Sequence, residues 1–184
     1  MNIITRYSVK NGRHKMLKLV KLSEEYRHQL NEMMSEWTTA GEKIIPYSIR
    51  KNDYRDFEYY LKNLDVTEES ERHVPDSTFF ALDTERNIFV GAVNIRLRLN
   101  ERLLTDGGHI GDGVRPSERR KGYATEMIRL ALDECRRLGI DRVLMCCNKD
   151  NVGSAKSIVK NGGVLENEII SKDGDIVQRY WIEL

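Results

Sequence analysis

The sequence has no excess charge of either sign: 30 lysines and arginines stand against 29 aspartates and glutamates, a net charge of +1. That balance argues against a nucleic-acid binder working by bulk electrostatics, which needs a large basic surplus. Cysteine is scarce, at three residues, Cys135, Cys146 and Cys147. An odd number, with two adjacent in an apolar run, gives no disulfide framework and implies reduced thiols in a cytoplasmic protein. No apolar run approaches the ~20 residues of a membrane span, and the polar start "MNIITRYSVKNGRHK" has no signal-peptide core. There is no internal repeat, low-complexity tract or linker. A Walker-type loop needs Gly-Lys-Ser/Thr, which does not occur, and the dinucleotide fingerprint that begins at Gly111-x-Gly113 fails at Pro116. The four histidines, His14, His28, His73 and His109, have neither i,i+4 partners nor a cysteine pair, so no metal site is expected.

What is present is a globular composition, 184 residues with 40 % hydrophobic, enough for one domain with a full core. Residues 1–15 read as a poorly ordered N-terminal extension and 16–184 as a single domain. "MLKLVKL" (16–22) alternates as a half-buried strand. Ser23 is placed to cap a helix whose apolar positions Tyr26, Leu30, Met33, Met34 and Trp37 recur at helical spacing. Gly41 and Pro46 break the chain, and 53–64 offers a second helix. "STFFALD" (77–83) and "NIFVGAVNIRLRL" (87–99) form a hairpin signal, and glycine-rich 107–115 reads as another strand. A helix from Ala124 puts Met127, Ile128, Ala131, Cys135 and Leu138 on one face and stops at Gly139. A buried strand (141–147), a short helix (151–161) and two strands (163–170, 176–184) complete a mixed α/β domain.

The stretch "RPSERRKGYATEMIRLAL" (115–132) poses the functional question. Arg115, Arg119, Arg120 and Lys121 crowd a helix N-terminus against one acid, Glu118. Cations there cost roughly 0.3–1 kcal/mol each when exposed. The bland reading is a solvated basic loop. The functional one is an anion site, in which outward N–H groups and the helix dipole bind phosphate, Gly122 admits close approach, and the bases partner a diphosphate.

Arg119-Arg120-Lys121-Gly122-Tyr123-Ala124 resembles the Arg/Gln-x-x-Gly-x-Gly/Ala signature of the GNAT superfamily of acyl-CoA-dependent N-acetyltransferases. "NVGSAKSIVKNGG" resembles that family's Asn-x-x-Ser/Ala helix, and "GHIG" followed by "RPSERRKGYA" is nearest to bacterial predicted acetyltransferases. The resemblance spans about residues 16–184. It implies a central, mostly antiparallel sheet of about six to seven strands flanked by about four helices, with a splayed strand pair at the cofactor site. It further implies a site for acetyl-CoA (coenzyme A). The backbone of Arg120, Lys121, Gly122, Tyr123, Ala124 and Thr125 would hold the pyrophosphate, with Arg119 beginning the loop. Asp112 and Val114 would pair with the pantetheine arm, and Asn151 and Ser154 would face its far end.

The implied reaction is attack of a primary amine of a small molecule or peptide on the thioester. An N–H of the splayed strand, at Asp112 or its neighbour, would receive the developing oxyanion. The sequence departs from the family where a tyrosine acid is usual: Ile158 stands there, and Gly163 replaces the following aromatic. Tyr180 is the substitute acid to consider. Asp112 and His109 are the candidates for steering the amine proton, and strand alternation puts them on opposite faces, so only one faces the cleft. A CoA-binding sensor or regulatory module without turnover is the alternative activity. The acidic segment 23–71 suits a cationic acceptor wherever its carboxylates line the cleft, although such faces are usually only solvated. Neither nucleic acid nor a membrane is expected as a partner, and homodimer formation is left open.

Overall fold

The computed structural model describes residues 17–70 and 73–184. The expected N-terminal extension, with His14, therefore lies outside the described residues, as does Glu71. The elements run β1 (Leu17–Val20), α1 (Arg27–Thr39), α2 (Phe57–Lys62), β2 (Asp76–Asp83), β3 (Ile88–Arg96), β4 (Ile110–Val114), α3 (Tyr123–Arg137), β5 (Arg142–Asn148), α4 (Val152–Lys160), β6 (Val164–Ile170) and β7 (Ile176–Glu183). The expected element order holds. Among the described residues no helix is long and apolar enough to cross a membrane, and no group of three or more His, Cys, Asp or Glu could hold a metal ion.

The seven strands form two antiparallel sheets, β1-β2-β3-β4 and β5-β7-β6. Two cores follow from alternation along β2 and β3, shifted by a bulge at Val90 where Ala81 pairs with Gly91 and Leu82 with Phe89. Phe80, Leu82, Phe89 and Ala92 face α1 and α2, where Leu30, Met33, Met34, Trp37, Phe57 and Tyr60 are buried. Ala81, Val90, Val93 and Ile95 face the other way, into a core with Met127, Ile128, Ala131 and Cys135 of α3, Ile158 of α4, and Val143, Met145, Cys147, Tyr180 and Ile182 of the second sheet. This second core spans both sheets and holds them together. Each large apolar side chain buried there contributes roughly 1.5–3 kcal/mol.

Several sequence expectations are corrected locally. Ser23 precedes a 3-10 turn (Glu24–Tyr26) and makes no capping bond. Its hydroxyl instead donates to Glu25 Oε1 at 3.1 Å. Leu138 is 41 % exposed, not core, because the helix ends at Arg137 and Gly139 turns away with φ +76°. The glycine-rich strand is shorter than its sequence pattern: Leu103–Gly107 form a π-helical turn before it. α2 begins where Asp56 accepts the N–H of Tyr59 at 3.3 Å.

Candidate functional site

The two sheets meet at one seam residue, His109. Its N–H donates to the carbonyl of Leu144 (2.7 Å), and its carbonyl accepts the N–H of Arg96 (2.8 Å). Its ring Nδ1 accepts the N–H of Leu144 at 2.9 Å. Gly108 makes this closeness sterically accessible: it has φ +65°, and a Cβ there would lie 2.5 Å from the Leu144 carbonyl oxygen. Burial, and then Arg96, push the His109 imidazole down to about 4. A neutral ring that accepts a main-chain N–H in the interior ties the two sheets together at this residue.

Beyond the seam β4 pairs with β3 and β5 pairs with β7, which opens a gap between β4 and β5. Antiparallel bonding alternates along each strand. The Arg96–His109 and Arg115–Val90 bonds assign Gly111 and Gly113 to the ladder with β3. The backbone groups of Ile110, Asp112 and Val114 therefore point into the gap. Across it, the Leu184–Asp141 and Lys149–Ile176 bonds assign Val143, Met145 and Cys147 to β7, so the backbone of Cys146 faces the gap. Two strand lips thus offer main-chain donors and acceptors to an extended ligand.

The N-terminus of α3 follows directly from β4. Its first internal bond runs from Glu126 N–H to Gly122 O at 3.4 Å, so the preceding N–H groups point out of the helix end. Arg120 (φ +63°) and Gly122 (φ +87°) both adopt left-handed backbone to turn the chain, and nothing lies within 4 Å of where a Gly122 Cβ would stand. The four bases are arranged differently from their expected role as diphosphate partners. Arg115 pairs with Glu36, Arg119 with Glu42 at 2.6 Å and Lys121 with Glu118 at 3.2 Å. Arg120, fully on the surface, makes no ion pair among the described residues. Acids from α1 and the loop after it supply the countercharge that the local sequence lacks.

Asp112 shares a strand face with Ile110 and Val114, which pack on the core beneath α3. Burial pushes its carboxyl up to about 6, opposed by its own N–H. The same face holds Cys147, whose thiol pKa is pushed up by burial and by the nearby Asp112, opposed by the Ser154 side chain. Tyr180, buried in β7, feels the Cys147 thiol, and its hydroxyl donates to Gln178 Oε1 at 2.8 Å. Asn151 caps α4 by accepting the Ser154 N–H at 3.1 Å, and Thr125 Oγ1 donates to Ser157 Oγ at 3.1 Å. The Tyr123 side chain is turned inward onto Asp83 Oδ2, at 2.7 Å, so only its backbone belongs to the helix end. Ile158 is fully buried. The sequence pattern missed Cys147, which reads as a core strand residue. Its one legible signal was strand period: Met145 and Cys147 share a face and Cys146 does not.

The opposite face of β4 is shaped by glycine. A Cβ on Gly113 would lie 2.2 Å from the Ile45 carbonyl oxygen, and one on Gly111 would lie 3.1 Å from Arg96 Nη2. The segment after α1 and the Arg96 side chain therefore lie directly on the strand. Several acids of 23–71 are held in ion pairs: Glu36, Glu42, Asp53, Asp65 and Glu69 pair with Arg115, Arg119, Arg55, Lys21 and Arg98.

The profile described as "Acetyltransferase (GNAT) domain" matches residues 17–164. No curated protein sequence matches. Among solved structures the chain is similar to the microcin C7 self-immunity acetyltransferase MccE in complex with acetyl-CoA and AMP (16 % identity, TM-score 0.64, 91 % of this chain and 92 % of that one). It is similar to the ribosomal L7/L12 acetyltransferase RimL in complex with coenzyme A (16 % identity, TM-score 0.64, 91 % and 94 %). It is also similar to the spermidine/spermine N-acetyltransferase SpeG of Vibrio cholerae (18 % identity, TM-score 0.61, 91 % and 93 %). With 148 consecutive residues matched, from a strand before α1 to the first residue of β6, the chain belongs to the GNAT family of acetyl-CoA-dependent N-acetyltransferases.

Proposed function

We propose that the chain transfers an acetyl group from acetyl-CoA to a primary amine of a small molecule or peptide, by direct attack on the thioester in the gap between β4 and β5. The observation that carries this is the gap itself: two strand lips with outward backbone groups, closed at His109 and opening toward the N-terminus of α3. An amide-bearing arm can pair with Asp112 and Val114, while its diphosphate meets the N–H groups of Arg120 to Thr125. The Val114 carbonyl accepts from Arg119 Nε at 3.2 Å, and in this reading the pantetheine arm replaces that bond. Asn151 and Ser154 sit at the far end of the arm.

In the transfer, the amine nitrogen bonds to the acetyl carbon, the carbon–sulfur bond breaks, the amine loses a proton and the thiolate gains one. An N–H of β4 at Asp112 serves the oxyanion, and the Asp112 carboxylate steers the amine proton. With Ile158 at the usual tyrosine position, the thiolate takes its proton from water or from Tyr180. The ordinary thiol pKa of ~8.5 makes this departure tolerable near neutrality. A thiol-release screen of acetyl-CoA against an amine panel tests the proposal. Binding of coenzyme A without thiol release for any amine would instead favour the sensor reading. The feature that motivates that alternative is Ile158, against which Gly163 is so tightly packed that a Cβ would lie 2.5 Å from its Cγ2, leaving no room for a side chain at 163.

A further inference from the structure

A cavity of about 100 Å³ lies between the turn after Pro46 and the ends of β2 and β3, on the face of β4 opposite Asp112. Among the described residues its charged lining is Lys51, Arg96 and Arg102 against one carboxylate, Asp76. Asp76 is already engaged, its Oδ1 accepting the Val66 N–H at 2.9 Å.

Arg96 is the central group. Its Nη1 donates to the carbonyls of Gly107 (3.0 Å) and Gly108 (3.2 Å), which holds the guanidinium flat over Gly111 with Nη2 3.1 Å from a Cβ built there. It makes no ion pair among the described residues, and burial pushes its pKa down, opposed by the more distant Asp76. A half-buried guanidinium fixed by carbonyls on one nitrogen retains Nε and Nη2 as donors suited to a carboxylate. The second observation is independent of charge. Ser48, also in the lining, is 4 % exposed, and its hydroxyl makes no hydrogen bond among the described residues. A buried hydroxyl left unpaired costs free energy that a ligand acceptor would recover.

We infer that this cavity binds the carboxylate of the acceptor, so that the amines acetylated are amino acids or peptides carrying an acid, not polyamines. The inference rests on the acetyl-transfer reading of the gap. Gly111 under Arg96 adjoins Asp112, whose backbone N–H points into the gap, so an acceptor held in the cavity meets the thioester at the edge of β4. Five acids of 23–71, Glu36, Glu42, Asp53, Asp65 and Glu69, already pair with the chain's own bases.

The test separates binding from turnover. Glycylglycine and its uncharged counterpart glycylglycinamide are titrated calorimetrically into the protein saturated with coenzyme A, where no acetyl group is available. Glycylglycine should bind at least about tenfold tighter, the minimum for a charge-assisted pair. Arg96→Gln should erase the difference. Should that variant fail to fold, Ser48→Ala and Arg102→Gln keep the test alive: each should weaken glycylglycine several-fold and leave coenzyme A binding unchanged. With acetyl-CoA, the same acid-over-amide preference should appear in kcat/KM. Equal binding of the two dipeptides, or a preference untouched in all three variants, would overturn the anion site while leaving acetyl transfer intact. Failure of coenzyme A itself to bind would sink the reading of the gap instead.

Discussion

Arg86 and Glu118 meet as a two-pronged pair, Nη1 on Oε1 and Nη2 on Oε2, both at 2.9 Å. Glu118 is 5 % exposed, in the turn just before α3. Arg86 sits in the β2–β3 turn, where its Nε donates to Asp83 Oδ2 at 2.9 Å and its Nη2 donates to the Tyr123 hydroxyl at 2.8 Å. The loop proposed to meet the diphosphate is thus shaped from behind, by a buried network on side chains that face away from the ligand.

Glu118→Gln should loosen that loop. Breaking a fully buried pair costs about 3–5 kcal/mol. Arg86 is 43 % exposed at its side chain, so solvent screening reduces the loss to roughly 1–3 kcal/mol. Arg86, and secondarily Lys121, hold the Glu118 carboxyl below its ordinary range. The contribution is therefore complete above the unfolded pKa and is lost as pH falls through the folded one. Denaturant midpoints of the native protein and the variant should converge as pH falls below the ordinary glutamate range, and a difference that did not shrink toward acid pH would contradict the assignment.

Gly122→Asp should abolish stabilisation by acetyl-CoA, which should be about 2.7 kcal/mol at a hundredfold excess over Kd. Gly122→Asn is the control, since Asn and Asp both tolerate left-handed backbone and only Asp adds charge. Thermal melts in which both variants kept the full shift would place the diphosphate elsewhere.

Asp112→Asn should lower kcat by about 10²–10⁴ with coenzyme A affinity nearly unchanged. The raised carboxyl pKa, about 6, fixes the sign of its effect on stability. The native carboxyl favours folding below its unfolded pKa, and that advantage disappears as pH rises through about 6. The asparagine variant should then be more stable by on the order of 1–3 kcal/mol at pH 7 and no more stable at pH 3. Full turnover in Asp112→Asn at neutral pH would mean the amine arrives deprotonated or gives its proton to water.

His109→Ala should destabilise the fold by about 1–3 kcal/mol, because the buried Leu144 N–H loses its acceptor. His109→Asn, which can present an oxygen near the Nδ1 position, should recover part of this. The imidazole pKa is lowered to about 4, so its contribution is present above the unfolded value and fades as pH falls through the folded one. A limb near pH 6.5 in kcat/KM that vanished in His109→Asn would restore His109 as a base.

The sequence by itself determined the element order and the helix end. Helical spacing of Met127, Ile128, Ala131 and Cys135, and the positive φ that Gly122 and Gly139 allow, are local properties that survive in any tertiary context. Family resemblance supplied the cofactor, because a motif keeps its meaning when carried on contiguous residues. Whether Asp112 or His109 serves the cleft was not legible, since alternation separates them without saying which side is inside. Leu144, 35 residues away, takes the His109 ring as the acceptor of its N–H, a contact that no local pattern announces. The bases of 115–121 were likewise ambiguous, because the carboxylates that partner Arg115 and Arg119 come from Glu36 and Glu42, at the end of α1 and just after it. Charge pairing and seam bonds join residues distant in sequence, and only the packed chain fixes their distances.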